Sequence, residues 1–183
     1  MKRLDRIRNS ETRTLPGKAA PEGGRQALFQ SGRISIRRAN LSDIGFIGRL
    51  SGKVFSVYGP YRNLVPGWFE SNLTITLVAV EKGAPVGFAM VGRLFEGPEK
   101  ENRCELLAIA VEPHLHCRGI GGMLLRKIEK EAARLGESVL FLHTAMDNVP
   151  AQDLFKKHHF TPLSLKKQFY HAGQDAVMMI KAL

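Results

Sequence analysis

Between His116 and Gly122 the chain reads His-Cys-Arg-Gly-Ile-Gly-Gly, and glycines beside an arginine are residues that can hold phosphate. Ahead of them, residues 106–111 form an unbroken apolar run stopped by Glu112-Pro113. Behind them, Leu124, Leu125, Ile128, Ala132 and Leu135 recur at helical spacing, and Arg126, Lys127, Glu129, Lys130 and Arg134 are left for the opposite face. The pattern predicts a strand buried on both faces, a glycine loop and an amphipathic helix over residues 123–135. The first turn of a helix has free backbone N–H groups and a partial positive charge. Glycines there leave no Cβ to keep a ligand's phosphates away. Two familiar phosphate loops do not fit. Leu124 stands where the dinucleotide fingerprint needs its third glycine, and the Gly-Lys-Ser/Thr of the nucleoside triphosphate loop is absent.

The rest of the chain supplies the elements that must position this loop. Residues 34–37 alternate and read as a first strand. Asn40 to Asp43 offers helix-capping residues, and Ile44, Ile47, Leu50 and Val54 follow at helical spacing until Tyr58-Gly59-Pro60-Tyr61 breaks the pattern. A second short helix is expected over residues 64–71, with Trp68 and Phe69. Strands are expected over 74–80 and 85–94 around a turn at 81–84, then a polar turn over 96–102. After the long helix Gly136 is a natural C-cap. Residues 139–142 read as another buried strand ending at His143, Asp147-Asn148 caps a helix over 149–157, and strands over 160–165 and 176–180 close the chain. The order β-α-α-β-β-β-α-β-α-β-β is an α/β (α+β) arrangement of seven strands and four helices. The strands on either side of the long helix should be parallel neighbours, because a helical crossover joins them.

His116-Cys117-Arg118-Gly119-Ile120-Gly121 resembles the pyrophosphate loop of the GNAT acyltransferase superfamily, Gln/Arg-x-x-Gly-x-Gly/Ala, which follows a strand ending in an Ile-Ala-Val-like triplet. His116 departs from the Gln/Arg of that loop. A second segment, residues 148–160, is similar to the family's Asn-x-x-Ala-x-x-Leu-Tyr-x-x-x-Gly-Phe. Asn148, Ala151, Leu154 and Phe160 match; Phe155 stands where a tyrosine is common and His159 where a glycine is common. The resemblance covers residues 33–183, and its layout is most similar to the ribosomal-protein N-alpha-acetyltransferase branch. It implies the GNAT fold, a mixed and mostly antiparallel sheet whose parallel pair splays around an acyl-CoA site.

The resemblance also implies a chemistry: an acetyl group passes from acetyl-CoA to a primary amine, on a protein N-terminus or a small molecule, by direct attack on the thioester. Backbone groups of Ile109, Ala110 and Val111 would pair with the pantetheine arm. Backbone N–H groups of Cys117, Arg118, Gly119, Ile120, Gly121 and Gly122 would hold the pyrophosphate, Asn148 would touch the cosubstrate, and Arg118 or Arg126 would meet its charged phosphates. The attacking amine must be neutral. At pH 7 about a tenth of an α-amine is neutral, against about one lysine in 2,500, so a weak base can serve an N-terminal substrate. Related N-terminal enzymes carry a glutamate at the position of His143, and histidine can act there as general base. Glu105, at the start of the central strand, is the rival. Phe155 cannot protonate the departing sulfur, and Tyr170 is the possible substitute; acid catalysis is typically worth ~10²–10⁴. Tyr58, Tyr61 and Trp68 are expected on the acceptor side or in the core. The competing reading, for which Phe155 is the best argument, is a non-catalytic acyl-CoA-binding module.

Composition bounds the rest. The chain's 183 residues suffice for one domain with a real core. Its net charge of +10 is uneven: residues 1–38 carry ten Lys/Arg against three Asp/Glu. Residues 1–32, rich in Arg, Gly and Pro, read as a disordered basic extension ahead of a domain over 33–183. Contact with nucleic acid is expected to go no further than weak, salt-dependent attraction by that tail. No apolar run could cross a membrane, and no secretory signal opens the chain. Cys104 and Cys117 fall at a strand start and in a loop, which fits free thiols in a reducing cytoplasm. The six histidines show no metal-ligand spacing, so no metal is expected. The chain is expected to be a monomer or homodimer.

Overall fold

The computed structural model of the chain describes residues 33–93 and 102–183. The basic extension over 1–32, and the expected polar turn except for Asn102, lie outside the described residues. Seven strands form one mixed sheet: β1 (Ser35–Arg38), β2 (Thr74–Glu81), β3 (Ala84–Gly92), β4 (Arg103–Val111), β5 (Val139–Ala145), β6 (Thr161–Lys166) and β7 (Ala176–Ala182). Their spatial order is β1-β2-β3-β4-β5-β7-β6. Only β4 and β5 pair in parallel, as a helical crossover between them requires. The four helices are α1 (Ile44–Phe55), α2 (Tyr61–Glu70), α3 (Ile120–Arg134) and α4 (Val149–Lys157).

Alternation along the strands divides the core into two layers. Leu77, Ala89, Val91, Leu106, Leu140 and Leu142 pack with Leu124, Leu125 and Ile128 of α3 and with Phe155 of α4. Their neighbours Val78, Phe88, Met90, Ala108 and Ala110 face the other way, onto Phe46, Ile47 and Leu50 of α1 and Val65 of α2. Each Val, Leu, Ile, Phe or Met among them, once fully buried, contributes about 1.5–3 kcal/mol relative to exposure. The chain enters α1 through a capping box: Asn40 Oδ1 accepts from the Ser42 N–H at 3.0 Å, and the Asp43 carboxylate accepts from the Asn40 N–H at 2.8 Å.

Several boundaries differ from the sequence reading. α2 begins at Tyr61 rather than residue 64, directly after Pro60, and α3 begins at Ile120. Leu135 is not on the buried face of α3; it is 60% exposed. The helix ends at Arg134, where Gly136 takes φ 83° and its N–H donates to Ala133 O while that of Glu137 donates to Ala132 O. The inward position one turn earlier is taken by Glu131, buried and paired with Arg38 at 2.7 Å. β5 does not end at His143 but runs on to Ala145, because β7 continues to pair with it.

Candidate active site

The parallel pairing of β4 with β5 runs from Arg103↔Val139 to Leu106↔Leu142 and stops. Beyond it β4 stays with β3, and β5 stays with β7 through His143↔Met178 and Ala145↔Ala176. The β3–β4 register slips at the same level: Met90 pairs with Ala108 and Val91 with Leu106, which leaves Leu107 as the extra residue of a bulge. A bulge bends its strand. The sheet therefore opens into a gap that starts at Leu107 and His143. The Glu112 N–H donates to Val86 O of β3, so the Val111 carbonyl on the other side of that peptide faces the gap. By the same alternation Ile109 and Val111 offer their backbone groups there, whereas Ala110 turns its own to β3. His116 folds back so that its Nε2 lies 2.9 Å from Val111 O.

On the α3 and α4 side of the gap lies the glycine loop. Gly119, at φ 78°, precedes the first turn of α3, no side chain caps that turn, and no acidic residue occupies it. A Cβ on Gly119 would meet nothing within 4 Å, and one on Gly121 only Leu154 Cδ2 at 3.4 Å, so the loop is loosely surrounded at these two glycines. Cys117 sustains φ 61° in the same loop. Arg118 is held by Glu81 through bonds of 2.6 and 3.1 Å, and this pairing keeps the Glu81 carboxyl below its ordinary range. A Cβ on Gly122 would fall 3.0 Å from His158 Nε2 and 3.5 Å from Arg126 Nη1, which places both cationic-capable groups beside the loop. Burial pushes the His158 pKa down. Asn148 caps α4, its Oδ1 accepting from the Ala151 N–H at 3.3 Å.

On the α1 and α2 side the two rival bases meet. Cys104 and Leu106 belong to the α3 layer, so Glu105 between them faces α1 and α2; Leu140 and Leu142 put His143 on that same face. His143 Nδ1 lies 2.8 Å from Glu105 Oε1, and the two side chains are 10% and 8% exposed. Glu105 Oε2 is buried with no hydrogen-bond partner among the described residues. The His143 ring stacks on Phe169 at 4.3 Å and 20°. Tyr170 donates weakly to His143 O at 3.4 Å and packs against Tyr58 at 4.9 Å and Tyr61 at 6.4 Å. Tyr61 in turn meets Trp68 edge-on at 6.2 Å. Burial, and then the neighbouring tyrosines and the carboxylates Glu105 and Asp147, drive the Tyr170 pKa far up, so its hydroxyl stays protonated. The loop between β6 and β7 that carries Phe169 and Tyr170 is tied down by Gln174 Nε2 donating to Val57 O at 2.7 Å.

Sequence reasoning treated Glu105 and His143 as alternatives; the register of β4 against β5, which no single-strand pattern contains, makes them one hydrogen-bonded pair. It also missed the Arg118–Glu81 pair and the cover that Phe169 places over His143. Phe155 is 4% exposed and packed on Phe160 at 5.8 Å, on the α3 and α4 side of the sheet. Two open clefts, of about 470 and 360 Å³, lie at the other end of α3, around Arg38 and Glu131 and around Leu73 and Cys104. Neither includes the glycine loop or His143. Among the described residues no three His, Cys, Asp or Glu gather as metal ligands, and no helix is long and apolar enough to cross a membrane.

The sequence pattern of the Acetyltransferase (GNAT) family matches residues 50–160, more than half of the chain. An N-alpha-acetyltransferase of Sulfolobus acidocaldarius is 29% identical over 157 residues, which is 81% of this chain and 92% of the relative. A ribosomal-protein-alanine N-acetyltransferase from Brucella melitensis shares the fold at a TM-score of 0.72 and 22% identity, over 81% of this chain and 99% of that one. A Salmonella typhimurium protein solved with its cofactor acetyl-CoA does so at 0.70 and 21%, over 82% and 94%.

Proposed function

The chain belongs to the Acetyltransferase (GNAT) family, and we propose that it transfers an acetyl group from acetyl-CoA to a primary amine, with the Glu105–His143 pair taking the amine's proton. The observation that carries the reading is the uncapped, glycine-lined start of α3 beside the gap between β4 and β5, with that pair on the opposite face. Acetyl-CoA supplies the thioester, whose carbonyl carbon bonds the amine nitrogen as the carbon–sulfur bond breaks. The fit is physical: free N–H donors of Ile120, Gly121 and Gly122 suit a pyrophosphate, and Ile109 and Val111 offer backbone pairing to an extended arm. Arg126 borders the same loop, and Asn148 caps α4, whose Leu154 lies against Gly121.

On the acceptor face, Glu105 accepts from His143 Nδ1–H and leaves Nε2 free to take a proton. The buried carboxylate then faces the imidazolium it stabilises. Tyr170, kept protonated by burial, is the hydroxyl available to the leaving sulfur; Phe155 has none. The acceptor is a peptide N-terminus or a small amine. The test is calorimetric titration of the full chain with acetyl-CoA: saturable heat is expected for the wild type and none for Gly121→Glu, which would put a side chain and a negative charge over the N–H groups. A wild type that gives no heat at about millimolar ligand, roughly the weakest affinity of interest, would sink the reading.

A further inference from the structure

The walls of the acceptor face carry information about the amine that fits them; the argument rests on the acetyl-transfer reading above. Glu105 is a buried carboxylate whose sole ion-pair partner among the described residues is His143, and its Oε2 has no donor. Asp147, exposed just after β5, adds to burial in raising the pKa of Tyr58 and Tyr170, and no Lys or Arg pairs with it among the described residues. Tyr58, Tyr61 and Tyr170 stay neutral, because burial raises the pKa of each, so they offset neither carboxylate. The lysines of the framing elements are engaged elsewhere: Lys53 of α1 with Glu112 at 2.8 Å, and Lys167 of the β6–β7 loop with Asp175 at 2.7 Å. Neither Glu105 nor Asp147 thus has a Lys or Arg partner among the described residues.

The remaining walls are aromatic. Phe169 stands edge-on to Tyr170 at 5.1 Å and stacks on His143, and Tyr58 and Tyr61 close the other side of Tyr170. Ring faces attract cations and pack apolar groups. At the rim Phe169 is 40% exposed and Val57 62% exposed, joined through the loop that Gln174 holds. These residues leave apolar area for a side group of the acceptor to cover.

We propose that this site takes a primary amine on a carbon that carries an apolar or aromatic side group and no carboxylate. A peptide N-terminus beginning with such a residue has this chemistry, and so does the corresponding simple amine. A free α-amino acid does not, because its carboxylate would lie one carbon from the amine, beside Glu105 and Asp147, neither of which has a Lys or Arg partner among the described residues. Like charges so placed are strongly disfavoured.

The experiment follows thiol release from acetyl-CoA by the full chain with four acceptors: phenethylamine, free phenylalanine, a short peptide with N-terminal Phe and the same peptide with N-terminal Gly. Phenethylamine and phenylalanine have amines of comparable basicity, so their contrast reads the carboxylate. kcat/KM for phenethylamine should exceed that for free phenylalanine by about tenfold or more, and Asp147→Asn should narrow the gap. The Phe peptide should exceed the Gly peptide by about tenfold or more. The faster of the Phe peptide and phenethylamine identifies the source of the acceptor, and either order supports the inference. Free phenylalanine matching phenethylamine, a gap untouched by Asp147→Asn, or equal rates for the two peptides would overturn it while leaving acetyl transfer intact. No release with any acceptor, although acetyl-CoA binds, would overturn the transferase reading and this inference together.

Discussion

Glu105 and His143 form one unit, and a unit fails as a unit. His143→Ala is expected to lower kcat/KM by ~10²-fold or less, because an α-amine is already partly neutral near pH 7. Glu105→Gln keeps the shape but loses the negative charge behind the imidazole, so it too should lower kcat/KM. The double variant should be no worse than His143→Ala alone; additive losses would show that the two residues act separately. Tyr170→Phe removes the buried hydroxyl on this face. If that hydroxyl serves the leaving sulfur, kcat should fall by ~10²-fold while acetyl-CoA affinity holds; an unchanged kcat would return Tyr170 to a lining role.

At the scale of elements, the turn after α4 records a local conflict. His159 holds φ 67°, the left-handed region, where a glycine is common in the family. His159→Gly should relieve that strain and raise stability by about 1 kcal/mol, read as a shift in the denaturation midpoint; no gain would mean that the imidazole makes up the difference. This strain was half legible beforehand, since the motif marked the position but not its backbone angle. The long helix, the buried central strand and the parallel crossover were legible because each rests on a periodicity within one segment. The helix end was misread because Leu135 continues the apolar period, and the left-handed turn at Gly136 ends the helix before it. The dyad was invisible for a different reason. It depends on which residue of β4 lies beside which residue of β5, and on the bulge at Leu107 that parts the strands one step later. The glycine loop was readable as a motif, whereas the Arg118–Glu81 pair depends on β2 ending beside it.

The described domain is a sheet opened along part of one strand pair, with the glycine-lined start of α3 on one face and the Glu105–His143 pair on the other. Its acid stability follows from its ion pairs. Arg37 holds Asp43 below the ordinary carboxylate range, and Lys167 does the same for Asp175. A folded pKa below the unfolded one means that the unfolded chain binds the proton first. The stability these carboxylates confer is therefore fully present above about pH 4 and is lost as pH falls through their folded values. Denaturation followed from neutrality down to about pH 3 should show this loss. Asp43→Asn, which breaks a pair whose carboxylate is 3% exposed, should flatten the slope more than Asp175→Asn, whose pair is exposed. Equal slopes would contradict that ranking. The central claim, that the two faces cooperate in moving an acetyl group, is tested most directly by thiol release from acetyl-CoA with and without a primary amine, in wild type and His143→Ala. The account expects release that depends on the amine and falls by ~10²-fold or less in the variant, with calorimetric affinity for acetyl-CoA unchanged. Acetyl-CoA binding with no amine-dependent release across peptides and small amines would contradict it and leave an acyl-CoA-binding module.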